Sequence, residues 1–254
     1  MPMNAHSVTV ENLVFAYPDG TRALDGASLQ VESGASLGLI GPNGAGKSTL
    51  LLHLNGVLTG DGRIEIGGMT VKKENLQEIR RRVGLVFQEA DDQLFMPTVF
   101  DDVAFGPLNL GLPEDEVRER VRAALSAVGL EHLAGKPPHH LSGGQKRLAA
   151  IATVLSMRPG VLVLDEPTSN LDHRSRRALI RVLNNLHITK IISGHDLEFI
   201  LETCSQACLM DDGKAIEQAG AEKLLGGESL LVAHGLEMPH SLLHRRGEHT
   251  HPAP

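Results

Sequence analysis

The sequence predicts an α/β protein built around a parallel sheet, and three stretches predict it. In the second half, apolar strand-like runs alternate with helical spacing through "GVLVLDEP", "HRSRRALIRVLNNL", "TKIISGHD", "LEFILETC" and "QACLMDDGKAI", the order expected of helices laid over a parallel sheet. The run from Val161 to Leu164 has no polar face, as a strand buried on both sides requires. Near the N-terminus the glycine-rich "GPNGAGKST", Gly41 to Thr49, lies between the apolar "SLGLI" and the helix-like "KSTLLLHLNGV", the setting in which a phosphate-cradling loop works.

The remaining elements follow in order. "VTVENLVFAY" is β-rich, "DGTRAL" is a turn, and "GASLQVESGASLGLIG" holds two more strands. "GRIEIGGMTV" reads as a hairpin with paired glycines at its turn, and "RRVGLVFQ" as a short buried strand ending at Gln88. From Glu89 to about Pro159 the only clear elements are helices, among them "PEDEVRERVRAALSAVGL", which Pro113 and its acidic residues start and Gly129 stops. This stretch, 89–159, is read as a helical insert in a main domain covering 1–225. Residues 226–254 are read as a C-terminal extension with a histidine-rich tail, whose last ten or so residues are expected to be mobile.

Composition removes several classes of function. A chain of 254 residues, 41% hydrophobic, can bury a core of ordinary size. Its net charge of -7 offers no basic footprint for nucleic acid or for an anionic lipid surface. Cys204 and Cys208 are too few for a disulfide framework and read as small core residues in a reducing cytosol. No apolar run approaches the roughly 18 to 20 residues of a membrane-spanning helix, and the N-terminus lacks the character of a signal peptide. The expectation is a cytoplasmic protein unless something else holds it at a membrane.

The chemistry begins at Gly41. "GPNGAGKS" matches G-x-x-x-x-G-K-[ST], and Gly41, Gly44 and Gly46 let successive N–H groups converge on a phosphate, with Pro42, Asn43 and Ala45 completing the loop. Lys47 supplies a charge for the β- and γ-phosphates of ATP, Ser48 a ligand for Mg²⁺, and Thr49 lies beside it at the positive end of the helix dipole. The strand "VLVLDE" delivers Asp165 to the edge of the sheet, where it can hold Mg²⁺ through water. Glu166, one residue on, is placed to polarise an attacking water. In "LSGGQ", Leu141 to Gln145, Ser142 can cap a helix beginning near Gly143, where bare glycines make a second anion site. Taken alone, that motif is equally a capped helix without a ligand.

These motifs, with four more signals, carry a family resemblance. "FAYPDG" with Tyr17, "LVFQ" with Gln88, "SNLD" from Ser169 to Asp172, and "ISGHD" with His195 stand in the order seen in the nucleotide-binding subunits of ATP-binding cassette (ABC) transporters. The chain resembles that family from about Val8 to about Gln218. The resemblance implies a P-loop NTPase core of RecA type, with an N-terminal antiparallel β subdomain and an inserted helical subdomain. It implies that Tyr17 stacks on adenine and that Gln88 meets Mg²⁺ and the attacking water. It further implies that His195 meets the γ-phosphate, helped by Asp196 and the Asp172 loop. Ser142, Gly143, Gly144 and Gln145 would bind the γ-phosphate held by the other subunit, so that two chains facing head to tail complete two ATP sites. Two departures stand out: the run after "LSGGQ" is "KRLAA", with Leu148 where an arginine is frequent, and His173 replaces a frequent proline.

The stretch "FQEADDQLFMPTVFDDVAFGPLNLGL" resembles the energy-coupling factor branch of the family, whose members power uptake of metal ions or vitamins. Phe95, Met96, Phe100 and Phe105 fall there among Asp91, Asp92, Asp101 and Asp102. They read either as core of the insert or as a groove for an amphipathic helix of a membrane partner. Five of the 13 histidines lie from His234 onward; His240 and His244 would share a helix face, and "HTH" could chelate a divalent ion, although a solvated tail is the plainer reading. The expectation is a peripheral ATPase subunit at the cytoplasmic face of the membrane, driving Co²⁺ or Ni²⁺ uptake. Its partners would be an integral membrane coupling protein, a substrate-binding membrane component and a second ATPase subunit, a homodimer in the simplest case. A vitamin importer of the same branch, an exporter and a soluble non-transport ABC ATPase stay open as alternatives, whereas a nucleotide-sensing module without catalysis would show a decayed site and every chemical position here is filled.

Overall fold

The structure, a computed structural model, describes residues 6–247, with side chains through Leu243. Two sheets share the chain. Strands β1 (Val8–Ala16), β2 (Arg22–Val31), β4 (Asp61–Ile66) and β5 (Met69–Thr70) form an antiparallel sheet in the order β2-β1-β4-β5. The second sheet holds β3 (Ser36–Ile40), β6 (Val83–Val86), β7 (Val161–Leu164), β8 (Thr189–Ser193), β9 (Gln206–Asp211) and β10 (Lys214–Gly220). Its order is β10-β9-β3-β8-β7-β6, parallel throughout except for β10 at the edge. The expected α/β class, with a RecA-type core beside an antiparallel β layer and inserted helices, is what the structure shows.

The uninterrupted apolar strands have a direct cause. In β7, Val161 and Val163 face the core shared with the antiparallel sheet, while Leu162 and Leu164 face a larger core built with the helices. Buried on both faces, such a strand cannot show the polar alternation of a solvated sheet. Cys204 and Cys208 fall in opposite cores, both unpaired by disulfide. Burial pushes each thiol up to about 12, so neither carries a reactive thiolate at neutral pH.

Helix α1 (Lys47–Leu54) leaves the glycine loop, and α2 (Leu76–Arg82) precedes β6. Between β6 and β7 the described residues form no strand. Helices α3 (Val99–Asn109), α4 (Glu114–Val128) and α5 (Gly143–Leu155) fill that interval. Gly129 closes α4 in the left-handed conformation, the stop read from the sequence. Helices α6 (His173–Asn185) and α7 (Leu197–Thr203) continue the alternation, followed by α8 (Ala221–Leu225), α9 (Glu228–Ala233) and α10 (His240–Gly247). The C-terminal stretch packs inward through Leu231, Met238 and Leu242, and Ser241 is bonded to the Glu198 carboxylate on α7. The expected mobile end and the "HTH" run lie almost wholly outside the described residues.

Candidate functional site

The glycine loop shows first what it lacks. No side chain caps α1, whose N-cap is Gly46, and the N–H groups of Lys47, Ser48 and Thr49 bond no acceptor among the described residues. Gly46 must be glycine: φ is 93°, and a Cβ there would lie 2.4 Å from the Ala23 carbonyl oxygen. An uncapped helix start with three idle amides is a cradle for an anion. Lys47 is buried, and its ammonium donates to the Gly41 and Pro42 carbonyls at 2.8 and 2.9 Å. That leaves one of its three protons for a phosphate. Desolvation lowers its pKa, opposed by the charges of Glu166 and Asp165.

This loop forms the floor of a cleft of about 760 Å³. The sequence-identified residues Tyr17, Asn43 to Thr49, Gln88, Glu166 and His195 line it, together with Ser169 and Asn170, which sequence reasoning passed over as ligands. Tyr17 stands at the rim with its hydroxyl bonded to Thr49 Oγ1 at 3.1 Å and its ring edge-on to Phe15. Thr49 thus fixes the tyrosine, a role its place beside Ser48 did not reveal.

Parallel register brings the acids in. Leu164 pairs with Ile192, so the next residues, Asp165 and Ser193, meet where β7 and β8 end. Ser193 Oγ donates to Asp165 Oδ1 at 2.5 Å and accepts from the Glu166 N–H at 2.9 Å. Asp165 Oδ1 also accepts from Ser48 at 3.0 Å. A hydroxyl and a carboxylate in contact, with Gln88 lining the same cleft, form an all-oxygen donor set that fits Mg²⁺. Glu166 adopts φ of 43°, a left-handed conformation that costs a non-glycine residue roughly 1–3 kcal/mol. Its Oε2 meets His195 Nδ1 at 2.7 Å and the Ser169 hydroxyl at 3.3 Å. Ser193 was missed by sequence reasoning, although a hydroxyl following the apolar pair Ile191 and Ile192 at the end of "TKIIS" was the available signal.

The "LSGGQ" residues do not line this cleft. Ser142 caps α5 in a full capping box: the Gln145 N–H bonds Ser142 Oγ at 3.3 Å, and the Ser142 N–H bonds Gln145 Oε1 at 2.9 Å. The amides of Gly143 and Gly144 bond no acceptor among the described residues, making a second anion cradle away from the first. Gly144 has a further reason to be glycine, since a Cβ there would lie 2.1 Å from Ser175 Oγ on α6. Asp172 also lies outside the cleft lining and caps α6, accepting from Ser175 N–H at 2.7 Å. That bond holds its carboxyl below the ordinary range. His173 is then the first helical residue, a position where proline is favoured but not needed. Leu148 sits in the larger core.

Arg176, unmarked in the sequence, ties α6 to α7. It forms a two-pronged pair with Asp196 at 2.6 and 3.2 Å and reaches Glu202 at 3.1 Å. Burial pushes the Asp196 carboxyl up, but Arg176 and the Phe199 N–H outweigh it and hold the group below the ordinary range. His195, the residue before Asp196, is steadied by this pair. Of the C-terminal histidines, His234 bonds Asp211 Oδ2 at 2.7 Å at the β9–β10 turn. Among the described residues no cluster of three or more His, Cys, Asp or Glu could hold a metal ion, and no helix is long and apolar enough to cross a membrane.

Comparison with known proteins agrees with this geometry. The ABC transporter family model matches residues 24 to 169. The energy-coupling factor transporter ATP-binding protein EcfA of Carboxydothermus hydrogenoformans is 48% identical over 92% of this chain and 87% of its own. Among solved structures, cbiO1 of Clostridium perfringens, part of the ABC transporter complex cbiONQ, superposes with a TM-score of 0.81 at 37% identity, covering 95% of this chain and 99% of its own. An ATP-binding cassette captured as a dimer after hydrolysis, with ADP and Pi, gives a TM-score of 0.75 at 26% identity over 84% of this chain and 98% of its own. The chain belongs to the ABC transporter family, as an ATP-hydrolysing cassette. Within that family it is an ATP-binding subunit of the energy-coupling factor type.

Proposed function

We propose that the chain is the ATPase subunit of an importer that carries Co²⁺ or Ni²⁺ across the cytoplasmic membrane, and that it works there as a dimer docked on integral membrane partners. The observation that carries the mechanism is the presence of two separate cradles of unpartnered amides on one chain, at α1 and at α5. Each phosphate site then needs a second copy, whose α5 amides close over the nucleotide held at Lys47. ATP lies with adenine on Tyr17 and its phosphates on the amides of Lys47, Ser48 and Thr49. Ser48, Asp165 and Gln88 would hold Mg²⁺, which would supply neutralising charge for the phosphates. Glu166 accepts the proton of the attacking water as the new O–P bond forms and the bond to ADP breaks. His195, held against Glu166, contacts the γ-phosphate. Positioning and charge neutralisation supply the acceleration.

Docking is assigned to the segment after Gln88. The aromatic residues read from the sequence divide: Phe100 packs against the core, while Phe95 is 62% exposed and meets the exposed Phe105 edge to face at 5.1 Å. Asp102 of α3 is buried and holds the Phe95 and Met96 amides at 3.0 Å, so the loop that carries Phe95 is pinned to the helix that carries Phe105. An amphipathic helix of a membrane partner fits such a surface. The metal cargo is supported by the resemblance of the stretch after Gln88 to the branch that takes up metal ions or vitamins, and by the five histidines from His234 onward. The test is purification of the tagged protein from mildly solubilised native membranes, with uptake of radioactive Co²⁺ and Ni²⁺ by cells with and without it. A multispanning partner with metal uptake is expected. Recovery of a vitamin-binding membrane protein changes the cargo, and recovery of no membrane partner overturns the importer reading.

A further inference from the structure

Among the described residues Arg147 is the most deeply buried arginine, and the chemistry above leaves it unused. It lies on α5, is 5% exposed, and forms no ion pair among the described residues. Its two terminal nitrogens donate to the backbone carbonyls of Phe87, at 2.8 Å, and of Gln88, while its Nε bonds nothing. Desolvation lowers its pKa, with Glu89 and Asp165 opposing. Burying a guanidinium against neutral carbonyls is a poor way to gain stability, since an aliphatic side chain would fill the same space without losing a charge's hydration. Its partners point to a different purpose: both belong to the loop that carries Gln88.

We propose that Arg147 is a positioning residue for hydrolysis, holding Gln88 at the cleft from within the helix whose N-terminus is the second phosphate cradle. Two further ties run the same way. Gln93 accepts from the Phe87 N–H at 3.3 Å and donates to the Ala150 carbonyl and Thr153 hydroxyl of α5 at 2.9 and 2.7 Å. Lys146 pairs with Asp91 at 2.6 Å. The loop is thereby bonded to α5 through four of its residues, Phe87, Gln88, Asp91 and Gln93. The amides of Gly143 and Gly144 and the carbonyls of Phe87 and Gln88 are fastened to one rod of 13 residues. The departure "KRLAA" gains significance here: with Leu148 in the core, Arg147 is the arginine of α5 that reaches the loop.

The inference rests on Gln88 meeting Mg²⁺, so the test separates the two. ATPase rate, Mg²⁺ dependence and ATP affinity are measured for the full chain and for Arg147→Met, Arg147→Lys, Gln88→Ala and the Arg147→Met/Gln88→Ala double variant. Arg147→Met is expected to lower kcat about tenfold and raise the Mg²⁺ requirement, with ATP affinity unchanged because the Lys47 cradle is intact. Arg147→Lys, able to reach one carbonyl at a time, is expected to recover part of the rate and stands in should the methionine variant fail to fold. The double variant is expected to be no slower than Gln88→Ala, the mark of two residues acting through one. If Gln88→Ala leaves rate and Mg²⁺ dependence unchanged, the Gln88 reading falls and the inference with it. If Gln88→Ala is impaired while the Arg147 variants keep wild-type kcat and Mg²⁺ dependence, or lose rate additively with it, Arg147 is structural and the inference alone is overturned.

Discussion

Replacing Arg176 with Met removes the link between α6 and α7 while leaving a side chain of similar length. The wild-type guanidinium gives Asp196 two charge-assisted bonds, each worth about 1.5–3 kcal/mol when enclosed. Asp196 keeps the Phe199 N–H, Glu202 keeps Arg177, and the Asp196 side chain is 26% exposed, so the net loss at neutral pH is set nearer 2 kcal/mol. For a chain of this size that is a fall in Tm of roughly 4–8 °C. The pH dependence identifies the cause. In the folded wild type the Asp196 pKa lies below 3.8, so its contribution is fully present above the unfolded value and is lost as pH falls through the folded one. Without Arg176 the burial that opposes ionisation prevails, so an ionised Asp196 costs the variant stability near neutrality, and that cost is lifted as pH falls and the carboxyl protonates. Thermal unfolding of both proteins between pH 3 and pH 8 should show a gap that is widest near neutrality and narrows toward pH 3, with kcat reduced through the displaced His195. A gap of constant size across that range would refute the ion pair as the cause and leave only lost packing.

Three further outcomes follow from the site. Glu166→Gln should bind ATP normally, lose at least about 100-fold in hydrolysis, and accumulate as an ATP-bound dimer in size-exclusion chromatography; brisk turnover would remove Glu166 from its role as base. Gly144→Ala forces a Cβ to within 2.1 Å of Ser175 Oγ, so α6 must shift at a cost of about 1–3 kcal/mol, and Ser175→Gly should restore both Tm and ATPase rate. Native protein at pH 8 should leave Cys204 and Cys208 unlabelled by a thiol reagent, because each is buried with its pKa raised to about 12; both should react once the chain is unfolded in guanidinium.

What the sequence revealed and what it hid divide by distance along the chain. The glycine loop, the strand before Asp165 and the Ser142 cap are local patterns within a few residues, and they read directly. Helix α2 did not, because "LQEIRRR" buries only Ile79 and shows no apolar stripe. Ser193, Arg147 and Arg176 escaped notice because their partners stand 28, 60 and 20 residues away, and nothing in the spacing signals a register or a helix contact. The aromatic run was ambiguous for the same reason, since only the packed chain separates Phe100 from Phe95. The need for a second copy entered through family resemblance; the structure supplies its physical basis in amides that face no partner.

The two-faced strand β7 sets what kind of change the chain can absorb. Exchanging one aliphatic residue for another at Val161 to Leu164 alters volume in one core by a methylene or so, and neighbouring side chains can take up the difference. Inserting or deleting a single residue there is another matter. It would swap the occupants of both cores at once and turn Asp165 and Glu166 from the Ser193 hydroxyl toward the opposite side of the sheet. This segment therefore tolerates change in composition but not in length, and the four apolar residues and the two acids that follow them function as a unit.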